Sequence, residues 1–410
     1  MDAEVATVPG HRWLMVADSD FLPANGGGER EHLGFARAAL GAGWLAAVVL
    51  PVRTTPDLAA YRDLLGDVPL ITTRRRTSPL MLAHPRYPYV VASRPFRRSL
   101  LAQVRAEAQV IDGIVTFSYK SRLIGEGLAE ALSLPMVVRQ HNREGAYHRS
   151  LAAGLTGPRR LVMSWEAGRI ERDEGRFDRS PLVTAVADIS ADDADARRAG
   201  GAVRVLHVPP FAFDARLGER IAAHTEQPPN AGGGSDAPRV LFIGALDVVT
   251  NTTALRWLLD HVWPSVLAAV PDANLDVVGR RPTDDLRKRI AETARVQLHA
   301  DVPDMQPYLR DAAVAVNPAI TGSGVNIKLV DYLQAGLPTV STALATRGLP
   351  LQPEVDLLVR DQPADFAQAV VDLLADPERR KRVGDSGQAT VTELLDPQRN
   401  IELLATGFQS

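Results

Sequence analysis

The chain has 410 residues, 45% of them apolar, more than one core normally holds, so two or three domains are expected. Its 46 basic side chains nearly balance 49 acidic ones, which argues against nucleic acid as the main partner and leaves charge recognition to local features. With no cysteine, disulfides, thiolate metal sites and a cysteine nucleophile are excluded, as suits a reducing compartment.

The start, Met1-Asp2-Ala3-Glu4, has no basic region followed by an apolar run, so no signal peptide is expected. No run approaches the ~18 apolar residues of a membrane span. A cytoplasmic location follows as an expectation.

Residues 13–17 form a short apolar run of buried-strand type, followed by a loop that ends in Gly26-Gly27-Gly28. A helical pattern over 29–40 places Leu33, Phe35, Ala36, Ala39 and Leu40 on one face, with Gly41 and Gly43 as stops. Further strands are expected at 45–50, 68–71, 113–117, 136–140, 182–187 and 204–208, with helices between them. Such alternation predicts an α/β fold with a parallel sheet covered on both faces. Residues 71–100 hold seven arginines, several aromatics and prolines, and no acidic residue. This Arg-rich 71–100 segment reads as a solvated surface or as a peripheral contact with an anionic acceptor or membrane.

The clearest linker is 226–238, rich in Pro, Gly and Ser without apolar periodicity. After it the alternation restarts. Strands are expected at 239–243, 274–278, 296–298, 313–317, 339–342 and 356–359, and helices at 252–270, 284–294, 305–312, 364–375, 377–387 and 390–404. The expected division is a first Rossmann-like domain over 1–225, the linker 226–238, a second Rossmann-like domain over 239–388, and a C-terminal helix in 389–410 packing back on the first domain. Two such domains would face a cleft at the carboxyl ends of their strands, where ligands of these folds bind.

Within the second half, the stretch from Asn317 to Pro338 reads as a strand end, a turn at Gly322-Ser323-Gly324, and a helix carrying Lys328 and Asp331. Glycines there let backbone N–H groups converge on an anion at a helix start, so a phosphate is the expected guest. A lysine at that point opposes the helix dipole and calls for a compensating reason, which a phosphate supplies.

Four pieces then form a series: Leu241-Phe242-Ile243-Gly244-Ala245-Leu246-Asp247 with Asn251 and Trp257; Val277-Val278-Gly279-Arg280-Arg281-Pro282; Val302-Pro303-Asp304-Met305 with Tyr308 and Leu309; and the glycine stretch through to Arg347-Gly348-Leu349. In order and spacing this series resembles the nucleotide-sugar half of the group-1 glycosyltransferases, retaining enzymes of GT-B architecture. The first half is similar more weakly, through Gly27 and Gly28 after the first strand and Arg139-Gln140-His141-Asn142-Arg143-Glu144 after a later one.

The resemblance implies a nucleoside diphosphate sugar on the C-terminal domain and an acceptor on the N-terminal domain, whether a small molecule, a glycan or a lipid-linked acceptor. It implies donor contacts from Gly27, Gly28, Gly244, Arg280, Arg281, Gly322, Ser323, Gly324, Lys328 and Asp331. His141 would position the sugar and acceptor hydroxyl, and Glu144 would act as a base or acceptor contact. The family's two acidic positions, aligned on Gly336 and Pro338, fall on Ser323 and Asp331. Asp331 keeps a carboxylate for the ribose hydroxyls, whereas Ser323 carries none. The cation pair that many relatives place after the first C-terminal strand is also missing, with Ala245 at one position and Thr250 or Asn251 at the other. Lys328, Arg280 and Arg281 are the expected substitutes at the diphosphate. Nine histidines are scattered without metal-ligand spacing, so a metal-independent reaction with no cofactor is expected. Rival readings are a nucleotide-sugar-binding pseudo-enzyme and an epimerase or phosphorylase of the same architecture. A dehydrogenase fits poorly, because the first glycine turn lacks Gly-x-Gly-x-x-Gly and no acidic residue ends the second strand.

Overall fold

The computed structural model describes residues 11–211 and 237–409, apart from 25, 109 and 323. The expected linker therefore lies, over 226–236, outside the described residues. Contacts divide the chain into two units, 11–211 with 395–409 and 237–394.

The first unit is built on a seven-stranded parallel sheet of order β3-β2-β1-β4-β5-β6-β7. Its strands are β1 (Trp13–Val16), β2 (Leu45–Val52), β3 (Leu70–Arg74), β4 (Gly113–Phe117), β5 (Met136–Gln140), β6 (Val183–Asp188) and β7 (Arg204–His207). Central strands β1, β2, β4 and β5 are buried at every position, which is why they read as continuous apolar runs. Successive residues of β1 serve opposite faces: Trp13 and Met15 enter one core, Leu14 and Val16 the other. Edge strand β3 alternates between buried and exposed positions. It lies at 70–74 rather than at the expected 68–71, because its pairing with Val52 carries it past the apolar run to Arg74.

The second unit repeats the plan with six parallel strands in the order β10-β9-β8-β11-β12-β13. They are β8 (Arg239–Ala245), β9 (Asn274–Arg280), β10 (Val296–Ala300), β11 (Val314–Asn317), β12 (Thr339–Ser341) and β13 (Leu358–Val359). Both sheets follow the doubly wound Rossmann order, with the direction of winding reversing beside the first strand of each unit. That reversal opens a crevice between the carboxyl ends of β1 and β4 in one unit and of β8 and β11 in the other.

The C-terminal helices differ from expectation. One helix, Pro377–Leu394, runs through both the expected stop at Gly387 and the 388/389 boundary. Gly384 and Gly387 are close-approach residues instead: a Cβ would lie 2.2 Å from the Gly336 carbonyl oxygen at the first and 2.6 Å from that of Asp356 at the second. The break comes where Asp396 accepts a hydrogen bond from the Arg399 N–H at 2.7 Å and Pro397 opens the last helix, Pro397–Ala405. That helix belongs to the first unit and packs on the helix Gly27–Gly41.

Candidate active site

In the first unit, the crevice gathers side chains from three segments. Asp18 follows β1, Lys120 follows β4, and His141 and Glu144 follow β5. The Lys120 ammonium lies 3.0 Å from Asp18 Oδ2 and 3.1 Å from Glu144 Oε1, so one cation joins two strand ends and the helix Glu144–Ala153. Burial works against its charge, but the Asp18 and Glu144 carboxylates outweigh it and raise the Lys120 pKa. Burial likewise works against the Asp18 carboxylate, yet the cations beside it, Lys120 first and then Arg94, hold its pKa well below the usual range. Arg94 donates through Nε to the Asp18 carbonyl oxygen. The turn that delivers Lys120 begins at Ser118, whose φ of 62° is rare for a residue with a Cβ, and such strain gathers where structure holds a site in place.

The glycine loop sits over His141. A Cβ on Gly28 would lie 3.5 Å from His141 Nδ1, so the glycine leaves that ring face open. The Gly28 carbonyl oxygen is 2.6 Å from His32 Nδ1, and the Asp18 N–H donates to His32 Nε2 at 3.3 Å. These partners assign His32 the neutral form with its proton on Nδ1. Burial pushes the His141 pKa well below the ordinary imidazole value. His141 is therefore neutral, and its buried Nε2 meets no hydrogen-bond partner among the described residues.

Behind the ring, Arg139 and Glu31 form a fully buried pair with Nη2–Oε1 at 2.6 Å. Arg139 also donates to the carbonyl oxygens of Val208 and Pro209, and the Phe211 N–H donates to Glu31 Oε2 at 2.6 Å. Helix Gly27–Gly41, β5 and the chain beyond β7 are thereby locked together under the site.

In the second unit, Gly322 and Gly324 hold φ of +135° and +74°, left-handed values that glycine adopts freely. The chain then turns into the helix Ile327–Gln334, where Lys328 is the second residue and Asp331 is buried one turn later. Lys328 Nζ donates to Asn251 Oδ1 at 2.6 Å and lies 4.8 Å from the centre of the Phe242 ring. Asn251 rests against the end of β8, where a Cβ on Gly244 would come within 3.1 Å of its Cγ. No carboxylate pairs with Lys328 among the described residues, and burial alone pushes its pKa down to about 7.

The other expected cations are placed differently. Arg280 is half-buried at the end of β9. Arg281 is exposed, with its Nε 2.9 Å from Asp247 Oδ2. Ser323 lies outside the described residues. Sequence reasoning missed Asp18, His32, Arg94 and Lys120, treating Asp18 as a loop residue. Their signal was position, since Asp18 and Lys120 follow the two strands that flank the reversal of winding.

Comparison with known proteins agrees with this geometry. The family model described as Glycosyl transferases group 1 matches residues 237–376. An uncharacterized 44.6 kDa protein in the cps region of Klebsiella pneumoniae is 23% identical over 167 residues, 39% of this chain and 43% of that protein. A phosphatidyl-myo-inositol mannosyltransferase of Mycolicibacterium smegmatis is 28% identical over 168 residues, 40% of this chain and 43% of the relative. The chain thus spans less than half the length of these curated relatives. Among solved structures, Anabaena HepE in complex with UDP and glucose aligns over 98% of this chain and 100% of its own, with a TM-score of 0.64 at 13% identity. TarM aligns over 99% and 100%, with a TM-score of 0.68 at 8% identity. At these identities the structural likeness speaks for the fold, two Rossmann-like α/β domains of the GT-B class. Residues 237–376 thus carry a group 1 glycosyl transferase domain, set in a chain of GT-B fold.

Proposed function

We propose that the protein transfers a sugar from a nucleoside diphosphate sugar to an acceptor hydroxyl, with retention of anomeric configuration and without a metal. The carrying observation is Lys328, a half-buried cation held by an amide and a ring face, with no carboxylate partner among the described residues. An uncompensated charge partly withdrawn from water is costly, and a ligand anion is what would offset that cost. The adjoining Gly322–Gly324 turn and the start of helix Ile327–Gln334 offer backbone N–H groups to the same anion.

In this reading Lys328 and the helix start hold the diphosphate, Asp331 takes the ribose hydroxyls, and Arg280 and Gly244 border the donor. Ser323 offers a hydroxyl where the family has a carboxylate. Arg281, tied to Asp247, serves the donor only by exchanging that partner. As the bond from the anomeric carbon to the phosphate oxygen breaks, negative charge grows on the departing diphosphate, and Lys328 stabilises it. The acceptor oxygen bonds to the same face of that carbon, and its proton passes to the departing phosphate oxygen. No enzymic nucleophile is required. On the first unit, Gly27 and Gly28 leave the neutral His141 open to the acceptor hydroxyl, and Lys120 holds Glu144 in place. The mannosyltransferase relative named above supports a lipid-linked acceptor as one class to test.

The test is incubation with UDP- and GDP-sugars, with and without candidate acceptors, while following free UDP or GDP and the anomeric proton of the product. Acceptor-dependent release with a retained anomer, unchanged by EDTA, is expected. Tight nucleotide binding with no release in any mixture would identify a sensor rather than a transferase.

A further inference from the structure

The helix Gly157–Phe177 begins with a stretch that its unit leaves uncovered. Leu161 is 73% exposed and Trp165 53%, and their spacing of four residues puts them on one face. Residues 153–165 carry Arg159 and Arg160 and no acidic side chain. Deeper in the helix, Glu166, Ala167 and Ile170 are buried, so the helix is anchored and its first two turns project.

A further exposed apolar residue lies on the neighbouring segment. Leu80 is 77% exposed in the short turn Pro79–Ala83. Arg169 fastens that segment to the helix: Nη1 donates to the Leu82 carbonyl oxygen at 2.9 Å, and Nη2 donates to the carbonyls of His84 and Tyr87. The same guanidinium lies 4.7 Å from the Trp165 ring centre, and the Tyr89 N–H donates to Glu166. Exposed Arg86 lies between His84 and Tyr87 on this strip. Leu80, Leu161 and Trp165 thus project from two fastened elements, with Arg86, Arg159 and Arg160 beside them.

We propose that this face docks the protein on an anionic lipid bilayer. Large apolar side chains exposed on a helix start, with tryptophan among them and arginines alongside, suit the boundary between headgroups and acyl chains. The arginines complement negative headgroups, whereas a second copy of the chain would bring the same positive charges against them. Docking does not depend on glycosyl transfer, and its test uses no nucleotide sugar, so the two readings fail separately.

The experiment is co-sedimentation of the full chain with vesicles of phosphatidylcholine alone or mixed equally with phosphatidylglycerol. Binding to the mixed vesicles is expected, at least about tenfold stronger than to phosphatidylcholine and weakened by salt. Arg159→Ser and Arg160→Ser should each weaken binding about fivefold. Leu80→Ser with Leu161→Ser and Trp165→Ser should abolish it while far-UV circular dichroism and the melting temperature hold. The proposal is overturned if the wild type stays in the supernatant with mixed vesicles, or if the apolar triple variant binds as well as wild type. It is equally overturned if the wild type self-associates without vesicles and the triple variant does not, which would assign the face to a second copy.

Discussion

Lys328 Nζ donates to Asn251 Oδ1 at 2.6 Å, and the same amide donates from Nδ2 to the Ala245 carbonyl at 3.0 Å. Asn251, at or beside the position where the resemblance implies a cation, thus orients one that comes from the helix Ile327–Gln334. Replacing Lys328 with methionine should abolish nucleoside diphosphate binding and yet stabilise the free protein. The folded pKa of about 7 lies below the ordinary 10.5, so between those values the unfolded chain holds more protons and stability rises with pH. Below pH ~7 the cost of the half-buried ammonium is fully present, and there the Lys328→Met gain should be about 3 kcal/mol. The gain should fade toward pH 10.5. Denaturant melts at pH 6 and pH 10 check this, and a variant less stable than wild type at pH 6 would contradict it.

Proton linkage should also appear in binding. A diphosphate beside Lys328 favours the ammonium, so above pH ~7 nucleotide binding should take up close to one proton. Apparent affinity should fall about tenfold per pH unit between 8 and 9. Calorimetry in two buffers of different ionisation enthalpy measures the uptake directly; equal heats in both would rule it out.

His141 gives a different signature. Because burial keeps it neutral, the wild-type rate should show no histidine step between pH 6 and 8. His141→Ala should lower kcat about 100-fold while nucleotide affinity stays within about twofold, since the diphosphate contacts are on the second unit. An equal loss in nucleotide affinity would assign the ring another role.

Two glycines of one helix should respond in opposite ways. At Gly34 a Cβ would lie 1.7 Å from the Phe211 carbonyl oxygen, so Gly34→Ala should destabilise by about 3 kcal/mol or more. At Gly28 the nearest atom is His141 Nδ1 at 3.5 Å, an ordinary contact. Gly28→Ala should keep its melting temperature within about 2 °C of wild type and lose activity, because the methyl covers the imidazole. A melting temperature depressed equally in both would place the constraint in the helix backbone instead.

These particulars show what the amino-acid sequence disclosed. The two doubly wound domains were legible because inner strands such as 113–117 and 136–140 are covered on both faces and therefore read as unbroken apolar runs. The glycine turn leading into the helix of Lys328 and Asp331 was legible because glycine, lysine and aspartate lie within one short stretch. The Asp18–Lys120–Glu144 bridge was not, since its first two members are 102 residues apart and meet only through the pairing of β1 with β4. Gly387 was misread because a glycine needed for close approach looks, in one dimension, like a glycine that ends a helix.

The most direct test of the account is a crystal structure with a bound nucleoside diphosphate, using the base that calorimetry selects. The diphosphate should lie within hydrogen-bond distance of Lys328 Nζ and the backbone of the Gly322–Gly324 turn, with the ribose on Asp331. A nucleotide bound elsewhere, with Lys328 still held only by Asn251 and the Phe242 ring, would contradict it.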